Sequence, residues 1–224
     1  MADYDIATVI HNYESHSYEK QKYVDDIKNL IIESGGPLEG NSFYVHNTLE
    51  LHPELYTKQV NLFWCGTQAE RKICEIGFNA GHSCMLMLLG KASTPLDITI
   101  FDIGHHAYTK PCISYIKSAF QHASIKYIEG DSTQTMPEWI QHNPDAIGTY
   151  DVVHVDGLHS EYCISNDFKN ADQLVKKGGI LIIDDTNFMH INQYVDSYIF
   201  IGRYKELCVL QTSGYPHRVI QKLV

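Results

Sequence analysis

The sequence predicts an α/β fold in which helices cover both faces of a mostly parallel sheet. From residue 71 onward, short apolar runs alternate with stretches of helical periodicity, which is typical of parallel sheets. The runs at 151–155 and 179–184 are rich in valine and isoleucine, as expected of strands that are buried on both faces. Near the C-terminus, two strand-like runs flank a turn at 213–216, so we expect the sheet to end in an antiparallel hairpin.

The first 70 residues have a helical pattern without strands. Residues 1–18 are polar and rich in tyrosine, and we expect a loose terminus there. Apolar residues recur at helical spacing over 24–31, and the glycines and proline at 35–37 end that helix. A second helix is expected at 53–65, ended by Gly66.

Strands and helices alternate through the rest of the chain. Strands are expected at 72–76, 97–102, 125–129, 151–155 and 179–184. Helices are expected between and after them at 81–90, 110–122, 133–142, 161–176 and 189–203. The hairpin strands are expected at 206–212 and 217–223. We therefore divide the chain into a helical cover, residues 1–70, and a sheet domain, residues 71–224.

Composition limits the classes of partner. The chain has 224 residues, of which 44% are hydrophobic, which is enough for one sizeable core. Its net charge of −10 disfavours nucleic acid and anionic membranes as partners. The apolar runs are far shorter than the ~20 residues of a membrane span, and the N-terminus lacks the features of a secretion signal. Six scattered cysteines without a Cys-x-x-Cys favour reduced thiols in a cytoplasmic protein. The oligomeric state stays open, with a homo-oligomer as one option.

The first strand of the sheet domain ends in a glycine loop. Residues 75–83 are Glu-Ile-Gly-Phe-Asn-Ala-Gly-His-Ser, and the two glycines permit a tight turn close to a ligand. The spacing differs from the G-x-G-x-x-G of dinucleotide sites, and the glutamate would repel a pyrophosphate. S-adenosylmethionine suits this loop, because it carries an ammonium and a sulfonium but no phosphate. An ordinary strand–helix turn is the alternative. The loop residues expected to bind the cofactor are Glu75, Gly77, Asn79, Gly81 and Ser83.

Acidic residues also end the next two strands. Asp102 is placed to accept hydrogen bonds from both hydroxyls of a ribose, although a carboxylate in solvent would give the same pattern. Asp131 can accept a hydrogen bond from an adenine amino group, while the backbone amide of Ser132 donates to a ring nitrogen. Equally, Asp131 or Ser132 can cap the helix that follows.

Three more carboxylates end the fourth and fifth strands, namely Asp156, Asp184 and Asp185. If these strands are neighbours, their ends lie about 5 Å apart, and like charges at that distance raise each other's pKa. A hard divalent cation such as Mg²⁺ would relieve the repulsion, and three carboxylates are suitable ligands for it. In the alternatives, Asp184 and Asp185 cap the helix beginning near 189, and Asp156 is a metal-free general base. Asp156 is also expected among the cofactor-binding residues.

His159 is the histidine best placed for chemistry, because it follows Asp156 in the same loop. It is a candidate general base, further metal ligand or hydrogen-bond donor to an acceptor molecule. Weaker candidates to line the same pocket are His82, His105, His106 and His190.

Together these motifs resemble the class I S-adenosylmethionine-dependent methyltransferases. Residues 75–83 resemble the first motif of that family, and Asp102 resembles its ribose-binding acid. Val155-Asp-Gly-x-His159, followed by the segment 178–185, is similar to the macrocin and sugar O-methyltransferases and more distantly to the catechol O-methyltransferases. The resemblance covers residues 71–224 and implies a Rossmann-like sheet of seven strands whose last strand is antiparallel.

The resemblance also implies an activity. Asp156, Asp184 and Asp185 correspond to the Mg²⁺ ligands of both groups, and aspartate at 185 agrees with the macrocin branch rather than the catechol enzymes, which usually have asparagine. The expected reaction is methyl transfer to a hydroxyl of a small molecule such as a sugar, polyol or phenol. A divalent ion would lower the pKa of that hydroxyl, and Asp156 or His159 would take its proton. Residues 1–70 match no motif and are expected to lie on the acceptor side.

Other classes fit the motifs less well. One alternative is a protein that binds the cofactor but has lost catalysis, and another is a metal-independent methyltransferase with a different acceptor. Methyltransferases of amino groups often carry an Asn/Asp-Pro-Pro-Tyr/Phe motif after the fourth strand, where this chain has Asp156-Gly-Leu-His159. An NAD-linked oxidoreductase is disfavoured by the spacing of the glycine loop.

Overall fold

A computed structural model describes residues 4–91, 94–211 and 215–224 of the chain. Its strands are β1 (Lys72–Ile76), β2 (Leu96–Asp102), β3 (Ala123–Glu129), β4 (Tyr150–Val155), β5 (Val175–Ile183), β6 (Tyr204–Glu206) and β7 (Arg218–Lys222). Its helices are α1 (Ile6–Ser15), α2 (Ser17–Ser34), α3 (Tyr56–Gln68), α4 (His82–Leu89), α5 (Thr109–Ala119), α6 (Ser132–His142), α7 (Glu161–Leu174) and α8 (Met189–Phe200). Short 3₁₀ turns lie at Pro53–Leu55 and Pro144–Ala146.

The strands of the described residues form one seven-stranded sheet in the order β3-β2-β1-β4-β5-β7-β6. The first five strands in chain order pair in parallel, whereas β7 pairs antiparallel with both β5 and β6. This arrangement confirms the predicted fold class, including the C-terminal hairpin. The chain builds outward from β1 to β3 and then returns to place β4 on the other side of β1. Such a reversal opens a crevice above the carboxyl ends of the strands, where ligands bind in sheets of this type.

Both faces of the sheet are covered by helices. Neighbouring residues of β5 illustrate the alternation, since Ile182 packs in the cluster that contains α1–α5 and Leu181 packs in the cluster that contains α6–α8. Both side chains are at most 1% exposed. This double burial explains the near-continuous apolar sequence of the central strands.

The expectation of a loose terminus at 1–18 is wrong from Ile6 onward, because α1 begins there. Tyr13 is fully buried, and its hydroxyl donates a hydrogen bond to Oε1 of Gln59 at 2.6 Å. Its ring packs edge-on against Phe63, and Nζ of Lys20 lies 3.5 Å from its centre. Tyrosine buries an apolar ring while it satisfies a polar tip, so a polar, tyrosine-rich segment can still form a packed helix.

Gly66 does not end the second predicted helix, because α3 continues to Gln68. A Cβ atom on Gly66 would lie 2.1 Å from the carbonyl oxygen of Met87. The glycine therefore marks the close approach of α3 to α4 rather than a helix terminus.

The strand expected at 206–212 is also displaced, because β6 occupies Tyr204–Glu206. Beyond it, the backbone of Leu210 exchanges hydrogen bonds with the side-chain amide of Asn61 on α3, which draws the chain away from the sheet edge. Positions 213 and 214 of the predicted turn lie outside the described residues. Across the ranges described, no helix has the length and apolar character needed to cross a membrane.

Candidate active site

A cavity of about 770 Å³ lies above the carboxyl ends of β1, β2, β4 and β5. Its size is that of a typical small-molecule site, and it occupies the crevice that the strand order creates. All of the predicted site residues line it except Glu75 and Gly81. Those that line it are Gly77, Asn79, Ser83, Asp102, Asp131, Ser132, Asp156, His159, Asp184 and Asp185. Of the weaker histidine candidates, His82, His105 and His106 also line it.

The glycine loop is packed tightly against the loop that follows β4. Gly77 has φ 86°, and a Cβ atom there would lie 1.9 Å from the carbonyl oxygen of Asp156. Gly81 has φ 85°, and a Cβ atom would lie 2.3 Å from the ring of Phe78. Both positions combine a backbone conformation that favours glycine with space for no side chain. The two loops therefore form one rigid floor for the cavity.

Glu75 lies beneath the cavity rather than in its wall, and its predicted contact with the cofactor stays a prediction. The side chain is fully buried on the face of β1 that α4 covers. Its Oε1 accepts a hydrogen bond from the hydroxyl of Ser83 at 2.5 Å and lies 3.1 Å from Nδ1 of His154. Ser83 thus stands between Glu75 and the cavity, and the carboxylate acts by orienting that hydroxyl.

Asp102, at the end of β2, holds the glycine loop by hydrogen bonds. Its Oδ2 accepts hydrogen bonds from the backbone amides of Phe78 and Asn79, at 2.8 and 2.9 Å, and its Oδ1 accepts from Gly104 at 2.6 Å. The alternative of a carboxylate free in solvent is therefore wrong. Contact with a ribose stays a prediction, for which the position of Asp102 in the cavity wall is suitable.

Asp131 caps α6, as the alternative interpretation held. Its Oδ1 accepts hydrogen bonds from the backbone amide and the hydroxyl of Thr133, at 2.9 and 2.8 Å. Both Asp131 and Ser132 nevertheless line the cavity, so their predicted contact with adenine stays a prediction.

The three carboxylates that follow β4 and β5 converge. The two strands are neighbours, and Val155 pairs with Ile183, so Asp156 and Asp184 leave the sheet side by side. Asp156 belongs to two groups whose ligand atoms lie within 4.8 Å of one another, one with His154 and Asp184 and one with His159 and Asp185. Asp184 and Asp185 do not cap α8, which begins after Phe188 without a side-chain cap. That alternative is wrong.

Lys58 is the functional candidate that the sequence interpretation missed. Its Nζ contacts Oδ2 of Asp184, although the lysine comes from α3 in the N-terminal segment. The residue is only 6% exposed, yet it lines the cavity. One signal was available: Lys58 lies three residues after Leu55 and four before Leu62, in the apolar stripe of the helix. A lysine in such a stripe needs a buried partner.

The cations and carboxylates of this cluster change one another's pKa. Burial alone would raise the pKa of Asp184, but the ammonium of Lys58, together with His217 and His154, outweighs burial and holds that pKa well below the usual range. Burial, reinforced by the charge of Asp184, raises the pKa of Asp156 well above its ordinary value. A hydrogen bond from Nε2 of His159 to Oδ2 of Asp185, 2.7 Å long, raises the pKa of that imidazole.

Asp185 adopts an unusual backbone conformation, with φ 53°. For a residue other than glycine this conformation is strained, and such strain is concentrated at functional sites. It turns the carboxylate of Asp185 toward His159, whereas that of Asp184 turns inward to Lys58.

A divalent ion is the group that the motif resemblance implies for these carboxylates. Suitable donors are present, because Asp156, His159 and Asp185 place ligand atoms close together. Two of the carboxylates already have partners, which fits an ion poorly: Lys58 pairs with Asp184, and His159 donates a hydrogen bond to Asp185. The predicted metal site stays a prediction, and we assign no reaction step to an ion.

The sequence model of a family described as a methyltransferase domain matches residues 74–186, a span that covers half of the chain. The chain belongs to this methyltransferase family. Membership confirms the resemblance to class I methyltransferases that the motifs indicated. No curated protein matches the sequence.

Several solved structures share the fold of this methyltransferase. An O-methyltransferase from Bacillus cereus in complex with SAH is 16% identical, with a TM-score of 0.64 over 91% of each chain. CalS11, a TDP-rhamnose 3′-O-methyltransferase of calicheamicin biosynthesis, is 15% identical, with a TM-score of 0.59 over 91% of this chain and 94% of that one. TomG from Streptomyces achromogenes, solved with SAM, is 16% identical, with a TM-score of 0.53 over 75% of this chain and 79% of that one. At these identities the likeness shows the fold alone.

Proposed function

We propose that this methyltransferase transfers the methyl group of S-adenosylmethionine to a hydroxyl oxygen of a small molecule such as a sugar, polyol or phenol. The observation that carries the proposal is one cavity lined by two chemically different sets of residues. The glycine loop and Asp102 form a set suited to a nucleoside, and Asp156, His159 and Lys58 form a set suited to proton transfer. The solved relatives named above, which act on or are named for oxygen acceptors, support this choice.

The residues around the loop would hold the methyl donor. Asp102 would accept hydrogen bonds from the ribose hydroxyls, and Asp131 with Ser132 would face the adenine. Asn79 and Ser83 would hold the amino-acid end of the donor, with Ser83 oriented by Glu75. The carboxylates that follow β4 and β5 line the same cavity and favour the positively charged sulfonium electrostatically.

His159 is the better of the two candidate bases. When its Nε2 carries the hydrogen donated to Asp185, the other ring nitrogen, Nδ1, is free to accept a proton from the acceptor hydroxyl. Asp156 has no such arrangement, because its carboxyl lies beside that of Asp184, and burial together with the charge of Asp184 raises its pKa. S-adenosylmethionine supplies an electrophilic methyl group, so the protein must mainly align the acceptor and remove its proton.

Incubation of the enzyme with S-adenosylmethionine and a library of hydroxylated small molecules tests the proposal. We expect mass spectrometry to find a product that has gained one methyl group on oxygen, together with S-adenosylhomocysteine. His159→Gln should lose this turnover while it still binds S-adenosylhomocysteine, and Lys169→Met, an exposed change on α7, should behave as wild type. Binding without turnover on any acceptor would instead indicate a protein that has lost catalysis, and methyl transfer to nitrogen would refute the acceptor class.

A further inference from the structure

We propose that Lys58 is the resident cation of the carboxylate cluster, and that its ammonium group stabilises the acceptor oxygen so that methyl transfer needs no divalent ion. This inference rests on the proposed function and names a further catalytic residue for it. It also assigns a chemical role to the N-terminal segment, which carries no recognisable motif.

The buried ammonium group of Lys58 requires partners that compensate for its loss of solvent. An ammonium group with 6% exposure is tolerated only when it is paired and hydrogen-bonded. Its contact with Asp184 supplies that partner, and the charges of Asp156 and Asp185 add further attraction. An ammonium has three N–H donors, and Asp184 accepts only one of them in the described structure. Because Lys58 also lines the cavity, its remaining donors can reach a ligand oxygen.

The helix holds Lys58 in a fixed position. Its neighbour Gln59 accepts a hydrogen bond from Tyr13 and donates one to the carbonyl oxygen of Ser42, at 2.6 and 2.8 Å. Asn61, one turn further along, is bound to the backbone of Leu210. These buried contacts on both sides prevent α3 from sliding or rotating. A charge held in this way is preorganised, and it stabilises a transition state without the cost of reorienting at the moment of reaction.

Two of the three carboxylates of the cluster already have partners without an ion. Lys58 neutralises Asp184, and His159 forms a hydrogen-bonded pair with Asp185. In the mechanism that the motifs imply, a divalent ion would separate the carboxylates and stabilise the acceptor oxygen. Lys58 lies where it can perform both tasks.

The reaction step balances with residues of this chain. The acceptor oxygen forms a bond to the methyl carbon while the bond between that carbon and sulfur breaks, which leaves S-adenosylhomocysteine. The hydroxyl proton passes to Nδ1 of His159. Lys58 donates a hydrogen bond to the oxygen and offsets the negative charge that develops as the proton leaves.

Turnover in the presence and absence of EDTA tests the proposal directly. We expect wild-type turnover to be unchanged by EDTA, and Lys58→Met to lose about 100-fold in kcat, as expected for removal of one preorganised donor. S-adenosylhomocysteine affinity in Lys58→Met should stay within about twofold of wild type, since Lys58 is not among the residues proposed to hold the donor. The matched control is Lys169→Met. Loss of wild-type turnover in EDTA with recovery in Mg²⁺ would overturn the proposal, and so would an unchanged kcat in Lys58→Met.

A second measurement does not depend on turnover. Titration with Mn²⁺, followed by electron paramagnetic resonance, should show weak binding to wild type and binding tighter by at least about tenfold to Lys58→Met, because removal of the ammonium leaves the carboxylates unneutralised. If Lys58→Met fails to fold, Lys58→Met/Asp184→Asn removes both members of the pair and should restore folding with weak Mn²⁺ binding. Equal Mn²⁺ affinity in wild type and folded Lys58→Met would contradict the role of Lys58 alone. Failure to bind S-adenosylhomocysteine would instead contradict the proposed function.

Discussion

The hydrogen bond between His159 and Asp185 predicts the pH dependence of the reaction. Asp185 raises the pKa of His159 above its ordinary value. Below that raised pKa the imidazole is protonated and cannot act as a base. Turnover should therefore rise with pH through that raised pKa. In Asp185→Asn the acidic limb of the kcat profile should move to lower pH, toward about 6.5, because the charge that stabilised the imidazolium is gone. An acidic limb that stays in place would show that another group is the base.

Asp167 on α7 is a buried carboxyl that the proposed chemistry does not use. It is fully buried, and neither of its oxygens has a hydrogen-bond partner of good geometry. Burial raises its pKa to about 6, with the Ser132 side chain opposing and the charge of Asp131 reinforcing the shift. A folded-state pKa above the unfolded value means that the contribution of this group to stability falls as pH rises from about 4 to 6.

Asp167→Asn should therefore gain stability relative to wild type as the pH increases. The difference in free energy of unfolding, measured by urea denaturation, should shift in favour of the variant by about 2 kcal/mol between pH 4 and pH 7. A difference that does not change with pH would mean that the carboxyl titrates normally in the folded protein.

Part of the candidate site could be predicted from the sequence. Asp156, Asp184 and Asp185 were found because each follows an apolar strand, and the sheet brings strand ends together. The burial of Glu75 could not be predicted in this way: Glu75 lies one residue before the end of β1, so its side chain points into a covered face. Strand periodicity alone does not show where a strand stops.

At the scale of elements, the contact between the glycine loop and the β4 loop makes the cavity floor sensitive to one added methyl group. Gly77→Ala would place a Cβ atom 1.9 Å from the carbonyl oxygen of Asp156, besides the strain of a positive φ. We expect it to lose several kcal/mol of stability, against about 1 kcal/mol for Gly178→Ala, which has φ 78° but nothing within 4 Å. Thermal and urea unfolding of both variants measure the difference. Equal losses would show that the two loops can separate at little cost.

The central strands and the helices between them follow the sequence pattern closely, because their apolar periodicity is set by burial on both faces. The structure departs from the sequence prediction where a residue has a contact with a segment that is distant in sequence. Gly66 ends no helix, since it is the contact point of α3 with α4, and the segment after Glu206 leaves the sheet for Asn61. Neither partner is near in sequence, so no local pattern contains the information.

At the scale of the whole molecule, the fold joins two parts of the chain at one site. The sheet supplies the glycine loop and the carboxylates, and the N-terminal segment supplies Lys58, which lies 126 positions before Asp184. We propose that residues 1–70 act as the cover on the acceptor side of the sheet domain, 71–224. The family motifs lie within the sheet domain, which is why the sequence indicated the reaction class but not the cation that the cover contributes.

Calorimetric titration with S-adenosylhomocysteine tests most directly whether the cavity is a methyl-donor site. We predict saturable binding of one equivalent to wild type, weakened by about tenfold in Asp102→Asn, since that change removes a charged acceptor of ribose hydroxyls and loosens the glycine loop. NAD should not bind to the same site. An absence of S-adenosylhomocysteine binding, or tighter binding of NAD, would contradict the assignment of the cavity.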